Sequence, residues 1–148
     1  MRKFIISIDA GTTSNRAILF DLKGKPVFSS QKEFTQYFPK SGWVEHNPEE
    51  IWNTTKKVLK DVILKAKKLR GKVLAIGITN QRETTVLWDK KTGKTVYKAI
   101  VWQDRRQAEY CKKLKKQNKE TLIFNKTGLP IDSYFSGTKI KWILDNIY

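Results

Sequence analysis

Cysteine and histidine are almost absent from this sequence, which has one of each among its 148 residues. The single cysteine, Cys111, excludes an internal disulfide and fits a reducing compartment, so we expect a cytoplasmic protein. The single histidine, His46, precedes a predicted helix and has no evident catalytic partner in the sequence, so we expect a structural role for it.

Long apolar runs are also missing. No stretch approaches the ~20 residues that a membrane-spanning helix requires. The N-terminus, Met1-Arg2-Lys3 followed by a short apolar run, reaches Asp9 without a cleavage region, so we do not expect a signal peptide. These features predict no membrane partner.

Acidic residues are scarce: 14 of them face 30 basic residues, which gives a net charge of +16. Only six of the basic residues are arginines, whereas specific readers of nucleic acid rely more on arginine. The lysines fall mostly in predicted helices and turns, as on a solvated face. We therefore expect no nucleic-acid partner. The alternative, a basic nucleic-acid-binding module, predicts binding that weakens steeply with salt.

The chain is long enough for one domain with a real core. Three apolar runs joined by short turns, at Lys3–Asp9, Arg16–Asp21 and Pro26–Phe34, predict an antiparallel meander. A helix is predicted to begin at Asn47-Pro48 and to stop at Gly71. The continuous apolar run that follows, Val73–Thr79, predicts a buried central strand reached by a helical crossover.

The second half of the chain predicts a hairpin followed by helices. The hairpin is predicted from two strand-like segments, Thr85–Asp89 and Thr95–Trp102, which are separated by a turn at Lys90–Lys94. Amphipathic spacing predicts helices over Arg105–Gln117, Glu120–Asn125 and Ser136–Ile147.

A polar turn between two apolar runs, in the segment Ile5–Asp21, carries the first candidate site. Gly11 permits a tight turn because it has no side chain to clash. The backbone N–H groups and three hydroxyls of Thr12–Ser14 suit an anion, for which phosphate is the obvious candidate. Asp9 is well placed to hold Mg²⁺ beside that phosphate. Arg16, on the second strand, is placed to reach the same phosphate. The alternative is an ordinary hairpin with a polar turn.

Three further stretches carry chemically useful residues. Just after Thr79, Arg82 offers a fork of donors and Glu83 only acceptors, a combination that suits a ligand with several hydroxyl groups. The alternative for this pair is a surface ion pair with other neighbours. Trp102 has an apolar face suited to a carbon skeleton, with a core tryptophan as the alternative. Tyr134 is suited to aim its hydroxyl into a cleft.

At these stretches the chain resembles known kinases. Its first loop is similar to the first phosphate loop of the hexokinase–actin–chaperone ATPase superfamily. Four further segments resemble the glycerol kinase branch of the FGGY carbohydrate kinase family, and the resemblance is collinear over essentially the whole chain. The first loop is DAGTTS at Asp9–Ser14, and the four further segments are GWVEH at Gly42–His46, GITNQRET at Gly77–Thr84, AIVWQDRR at Ala99–Arg106 and YFSGTK at Tyr134–Lys139.

The resemblance implies an α/β domain of the ribonuclease-H-like, actin/hexokinase type. Such a domain is expected to have a mixed five-stranded sheet with an antiparallel meander and flanking helices. On the nucleotide side, the resemblance implies that Thr12, Thr13, Ser14 and Arg16 contact the phosphates of ATP and that Asp9 lies beside Mg²⁺.

On the substrate side, the resemblance implies that Arg82, Glu83 and Tyr134 hydrogen-bond glycerol while Trp102 lines its carbon face. The implied reaction is the ATP-dependent phosphorylation of glycerol to sn-glycerol 3-phosphate. The rivals are a related polyol or sugar kinase and a non-catalytic half of a split or remnant kinase.

The resemblance covers roughly the opening third of a longer family. It implies that residues 1–148 are the N-terminal portion of the first domain, and that no catalytic residue lies in this chain. The general-base aspartate, the rest of this domain and a C-terminal nucleotide-binding domain are expected beyond Tyr148. We expect the isolated chain to be inactive and the full-length protein to form a homo-oligomer. Two positions depart from the usual family residues, Ala10 from glutamine and Asn15 from serine.

Overall fold

A computed structural model describes residues 1–147, and Tyr148, the last residue of the predicted domain, lies outside the described residues. No helix in the described part of the chain is long and apolar enough to cross a membrane. The chain forms two compact units: the first comprises Met1–Thr35 with Glu49–Gln81, and the second comprises Gln36–Pro48 with the described residues from Arg82 onward. The elements are β1 (Arg2–Ala10), β2 (Ser14–Asp21), β3 (Pro26–Glu33), β4 (Glu45–His46), α1 (Pro48–Lys68), β5 (Gly71–Thr79), β6 (Ala99–Ile100), α2 (Ala108–Lys116), α3 (Glu120–Thr127) and α4 (Ser136–Asn146).

The first unit is built on a mixed sheet of four strands in the order β3-β2-β1-β5. β1, β2 and β3 pair antiparallel as a meander, and β5 runs parallel to β1. A parallel neighbour requires a long crossover connection, which α1 provides. The predicted meander and the helical crossover are confirmed.

The core of the first unit is formed by β1, β2 and α1. β1 contributes every second residue because successive side chains of a strand point to opposite faces, and α1 contributes residues spaced four apart. The buried core residues are Phe4, Ile6, Ile8, Ala17, Leu19, Val58, Val62 and Ala66. The other face of β1 and β2 is left for the polar side chains of the candidate site.

Two predictions about this sheet are wrong. The described residues place four strands in it, not five. The run predicted as a buried central strand, β5, is an edge strand, and its Leu74, Ile76 and Ile78 are exposed, Ile78 to 73%. The apolar composition identified a strand correctly, but burial depends on neighbours, and among the described residues β5 has only β1 as a pairing partner.

The hairpin predicted at Thr85–Asp89 and Thr95–Trp102 forms only in part. Its arms meet at two isolated bridges, Thr85 with Ile100 and Trp88 with Thr95. Only β6 is a regular strand in this segment, and it also pairs with β4. Because Ile100 has partners on both sides, the arms diverge from a simple two-stranded ladder.

The second unit is organised around a buried arginine. The side chain of Arg106 is fully buried and forms ion pairs with Asp104 and Glu45 at 2.8 and 2.9 Å. Its guanidinium carbon lies 3.8 Å from the ring centre of Trp43 and 4.5 Å from that of Trp142. A guanidinium is planar and weakly hydrated, so it can stack on aromatic rings while it bridges two carboxylates.

His46 and Cys111 are both buried in the second unit. The Nε2 atom of His46 lies 2.6 Å from the side-chain oxygen of Gln36, so the imidazole is tied to a neighbouring amide, in agreement with a structural role. Cys111 is a free cysteine, and burial raises the pKa of its thiol.

Candidate functional site

The loop between β1 and β2 is a tight turn that requires glycine. The N–H of Gly11 donates to the carbonyl oxygen of Ser14 at 3.1 Å. A Cβ at position 11 would lie only 2.9 Å from that same oxygen, so a side chain would force the backbone to shift. The predicted strand–turn–strand is confirmed, and the loop carries three consecutive hydroxyl side chains, Thr12, Thr13 and Ser14.

Asp9 and Arg16 lie directly opposite each other on β1 and β2. Residues paired in this way project from the same face of a sheet, and for these two it is the face opposite the core. Both side chains are exposed, and the described residues form no ion pair between them. Asp9 also accepts no hydrogen bond from the described residues, so its carboxylate is available to a ligand.

Gln31 on β3 joins two of the predicted phosphate-contacting residues, and the sequence analysis missed it. It pairs with Arg16 across the sheet, accepts two hydrogen bonds from the guanidinium, and donates to the hydroxyl of Ser14 at 2.8 Å. The sequence did contain a signal: counting the antiparallel register back from the turn at Leu22–Lys25 brings Gln31 beside Arg16.

Two amide side chains anchor the loop to the rest of the first unit. Gln81, just past the end of β5, donates to the carbonyl oxygen of Gly11 at 2.9 Å. Asn15 is fully buried, and its amide donates to the carbonyl oxygen of Ile51 at 3.0 Å and to the hydroxyl of Thr54 at 2.6 Å. The asparagine that departs from the usual family residue therefore fastens β2 to α1 without facing the loop opening.

Glu83 lies in the second unit with its backbone in the left-handed region, at φ 65°. Its Oε2 atom accepts hydrogen bonds from the N–H and the hydroxyl of Ser136, at 2.8 and 2.7 Å. These bonds, together with the positive charge of Lys139, hold the pKa of Glu83 below its usual value. The second oxygen, Oε1, accepts no hydrogen bond from the described residues and can take one from a hydroxyl group of a ligand.

Trp102 and Tyr134 are brought together although they are far apart in the sequence. Their ring centres are 5.9 Å apart in an edge-to-face arrangement. Trp102 is half-buried, so it is not a closed core residue. Its backbone N–H donates to the hydroxyl of Thr84 at 3.3 Å, which places it beside Glu83 in the second unit.

Arg82 is exposed and forms no ion pair with a carboxylate of the described residues. The surface ion pair considered as its alternative role is therefore not observed. The chain passes from the first unit to the second between Gln81 and Arg82. The predicted site residues thus form two groups: Asp9, Thr12, Thr13, Ser14 and Arg16 in the first unit, and Arg82, Glu83, Trp102 and Tyr134 in the second.

The described residues contain no group of three or more His, Cys, Asp or Glu side chains able to hold a metal ion. The exposed carboxylate of Asp9 offers oxygen ligands for a metal ion at the hydroxyl-rich loop. Mg²⁺ in nucleotide sites is bound by one or two carboxylates together with substrate phosphates and water. The chemistry of the Asp9 carboxylate therefore fits a Mg²⁺ ion that arrives with a nucleotide.

The meander, the crossover helix and the hydroxyl-rich loop after β1 define a mixed α/β domain of the actin/hexokinase type, a fold that the matching solved structures share. Residues 4–147 match the model of the N-terminal domain of the FGGY family of carbohydrate kinases, and the chain belongs to that family. The family assignment from the sequence motifs is confirmed.

Individual relatives agree with this assignment. A glycerol kinase of Oceanobacillus iheyensis is 61% identical over 145 residues, which cover 98% of this chain and 29% of that protein. The crystal structure of Plasmodium falciparum glycerol kinase with ADP matches with a TM-score of 0.90 and 36% identity, over 98% of this chain and 29% of the other. A gluconate kinase from Lactobacillus acidophilus matches with a TM-score of 0.89 and 25% identity, over 99% and 29%. The chain spans less than a third of the length of the curated relatives it matches.

Proposed function

We propose that this chain is the substrate-orienting part of an ATP-dependent kinase that phosphorylates glycerol to sn-glycerol 3-phosphate. The observation that carries the proposal is the convergence of Glu83, Trp102 and Tyr134 in the second unit. A carboxylate oxygen, an indole face and a phenol together match a short carbon chain that carries hydroxyl groups.

On the substrate side, each of these side chains has a separate task. Glu83 accepts a hydrogen bond from one glycerol hydroxyl through its Oε1 atom, and the exposed Arg82 donates to another. Tyr134 hydrogen-bonds the polyol, while the half-buried ring of Trp102 covers its carbon face. This polar arrangement favours a ligand that both donates and accepts at neighbouring carbons.

On the nucleotide side, Thr12, Thr13, Ser14 and Arg16 contact the phosphates of ATP, and Asp9 would hold Mg²⁺. When bound, the ion would supply positive charge beside the transferred phosphate. The exposed guanidinium of Arg16 and the three loop hydroxyls give the donors that such a group requires.

The terminal hydroxyl of glycerol must lose a proton as its oxygen forms a bond to the γ-phosphorus and ADP departs. The relatives are about three times as long as this chain. We propose that an aspartate in the part of the protein that corresponds to their remaining length accepts this proton, and that none of residues 1–148 does so. Phosphoryl transfer requires groups on both sides of the phosphate, so we propose that the isolated chain does not turn over. We also propose that the complete protein is a cytoplasmic homo-oligomer.

The test begins with the coding sequence past the codon for Tyr148. If the frame stays open, the encoded protein is purified and ADP formation is measured with and without glycerol. If the frame closes, the 148-residue chain is co-expressed with the candidate partner chain and assayed in the same way. Glycerol-dependent ADP formation by the preparation that the reading frame calls for supports the proposal, and its absence rejects it. Turnover by the isolated 148-residue chain would contradict the proposal that the residue accepting the proton lies outside this chain.

A pair of matched variants tests the assigned site. Glu83→Gln removes the carboxylate that faces the polyol and should raise the KM for glycerol about tenfold to a hundredfold, with the KM for ATP unchanged. Glu109→Gln makes the same change at an exposed residue of α2 that pairs with Lys112, and it should leave both constants unchanged. Equal effects of the two variants would contradict the assignment.

The structural match to a gluconate kinase favours a second candidate, a related kinase for another polyol or sugar acid. Glycerol is uncharged, whereas gluconate carries a carboxylate that Glu83 would repel. Comparison of kcat/KM for glycerol and for gluconate separates the two, and a preference for gluconate would replace glycerol in the proposal.

A further inference from the structure

Lys139 is fully buried, which is rare for a lysine. Its Nζ atom donates to the main-chain oxygens of Ser133 at 2.9 Å and Phe135 at 3.3 Å, and also to that of Tyr134. No carboxylate of the described residues lies within ion-pair distance of it. All three N–H groups of this ammonium therefore serve one turn of the main chain, at residues 133–135.

This turn presents Tyr134. The side chain of Asp132 accepts the N–H of Tyr134 at 2.7 Å, and Lys139 donates to its carbonyl oxygen, so both main-chain polar groups of Tyr134 are held. The ring is confined by Trp102 and Phe135, with centre-to-centre distances of 5.9 and 5.2 Å. The position of the phenol therefore depends on a buried ammonium that does not touch it.

The same turn leads into α4, where Ser136 is the first residue. Ser136 donates its N–H and its hydroxyl to Glu83, and Lys139 follows it three residues later on the helix. The hydrogen bonds from Ser136 are the main reason why the pKa of Glu83 is lowered, and the positive charge of Lys139 lowers it further. Tyr134 and Glu83, two of the four residues proposed to contact the polyol, thus depend on the segment that Lys139 fastens.

We propose that Lys139 is a positioning residue for the polyol site: by fixing residues 133–135 it sets Tyr134 and, through Ser136, Glu83 at the substrate. The inference rests on the proposed function. A lysine that only supports the fold would lower stability when replaced, without a selective effect on polyol binding.

Lys139→Met in the full-length protein tests the inference, because methionine fills similar space and donates no hydrogen bond. We expect the KM for glycerol to rise about tenfold or more while the KM for ATP stays unchanged. The matched control is Lys141→Met, which removes the same charge from an exposed residue of α4 that bonds Asp145. It should leave both constants unchanged.

The outcomes separate the two proposals. A wild-type protein without glycerol-dependent ADP formation rejects the proposed function. An active wild-type protein whose KM for glycerol is unaffected by Lys139→Met, or in which both KM values rise together, rejects the positioning role alone.

If Lys139→Met does not fold, the wild-type protein decides. Burial lowers the pKa of Lys139 to about 8, and a neutral amine has only two N–H groups for three carbonyl oxygens. The KM for glycerol should then rise between pH ~7 and ~9. The charged and titratable groups that face Lys139 are Glu83, Asp104, Asp132 and Cys111. The pKa of Glu83 is lowered, chiefly by its hydrogen bond from Ser136, and burial raises the pKa of the Cys111 thiol. A flat profile rejects the positioning role.

Discussion

The guanidinium of Arg16 donates two hydrogen bonds to one side-chain oxygen of Gln31, from Nε at 2.9 Å and from Nη2 at 2.7 Å. The amide nitrogen of the same glutamine donates to the hydroxyl of Ser14. Gln31 therefore holds two proposed phosphate ligands in a fixed relationship. A phosphate bound at this loop would meet an arginine whose orientation is already set, which reduces the entropy cost of binding.

Replacement of Gln31 should weaken nucleotide binding without affecting the polyol. Gln31→Ala removes the acceptor for Arg16 and the donor to Ser14, so we expect the KM for ATP to rise about threefold to tenfold and the KM for glycerol to stay constant. Steady-state kinetics with each substrate varied in turn measures the difference. Gln117→Ala, at the exposed C-terminal end of α2, is the control. A change in the KM for glycerol alone would disprove the link between Gln31 and the phosphate loop.

Asn15 should be a stability residue. Asn15→Ala removes two hydrogen bonds but leaves Thr54 bonded to the carbonyl oxygens of Glu50 and Ile51, so it should cost about 1–2 kcal/mol in unfolding free energy. Asn15→Asp should cost more, about 3 kcal/mol, because it places an unpaired carboxylate in a fully buried position. Urea unfolding of the 148-residue chain measures both.

The acid variant also has a pH signature. The penalty in Asn15→Asp should shrink at low pH, where the carboxyl group is protonated, whereas the Asn15→Ala penalty should not change. An aspartate variant as stable as wild type at neutral pH would show that the position is open to water, against the burial seen here.

Local chemistry could be predicted from the sequence, and neighbourhoods that depend on packing could not. The turn at Gly11 follows from residue types that act over a few positions, and so do the start of α1 at Pro48 and the meander. The position of Gln31 beside Arg16 follows from the strand register counted from the turn at Leu22–Lys25, although no motif marks that residue. The role of Lys139 depends on the folding of a turn over a helix, which leaves no periodic signal. The proximity of Trp102 and Tyr134 was expected only through the family resemblance. The exposure of Ile78 was missed because the apolar composition of a segment predicts a strand but does not indicate which other elements cover it.

Arg106 should contribute strongly to the stability of the second unit. Arg106→Met leaves Asp104 and Glu45 buried without their shared cation, and the loss of one partner from such a group costs about 3–5 kcal/mol. Arg106→Lys should also destabilise, because an ammonium cannot form the planar fork or stack between Trp43 and Trp142. Thermal and urea unfolding monitored by tryptophan fluorescence give the values. Arg105→Met, at the exposed neighbouring residue, is the control. A lysine variant as stable as wild type would show that charge alone matters at this position.

The pH dependence of stability should identify the buried ammonium of Lys139 directly. Its pKa is lowered by burial from the ordinary value of 10.5 to about 8. Below pH ~8 the group is protonated in both the folded and the unfolded chain, and its burial costs stability. Between the pKa of about 8 in the folded chain and the ordinary value of 10.5 in the unfolded chain, the unfolded chain binds more protons than the folded chain. Unfolding therefore becomes less favourable as the pH rises. Lys139 should therefore add up to about 1.4 kcal/mol per pH unit in this window.

The measurement is the unfolding free energy of wild type minus that of Lys139→Met, taken by urea unfolding at successive pH values above neutrality. The difference should grow with pH, since the methionine variant has no proton to lose. For Lys141→Met the trend should have the opposite sign, because the hydrogen bond to Asp145 raises the pKa of Lys141 and its stabilising contribution is lost as the pH rises. A wild-type minus Lys139→Met difference that falls with pH or stays flat would mean that the hydrogen bonds to the three carbonyl oxygens offset the desolvation of the ammonium, because they favour its charged form, and burial would then not lower the pKa of Lys139.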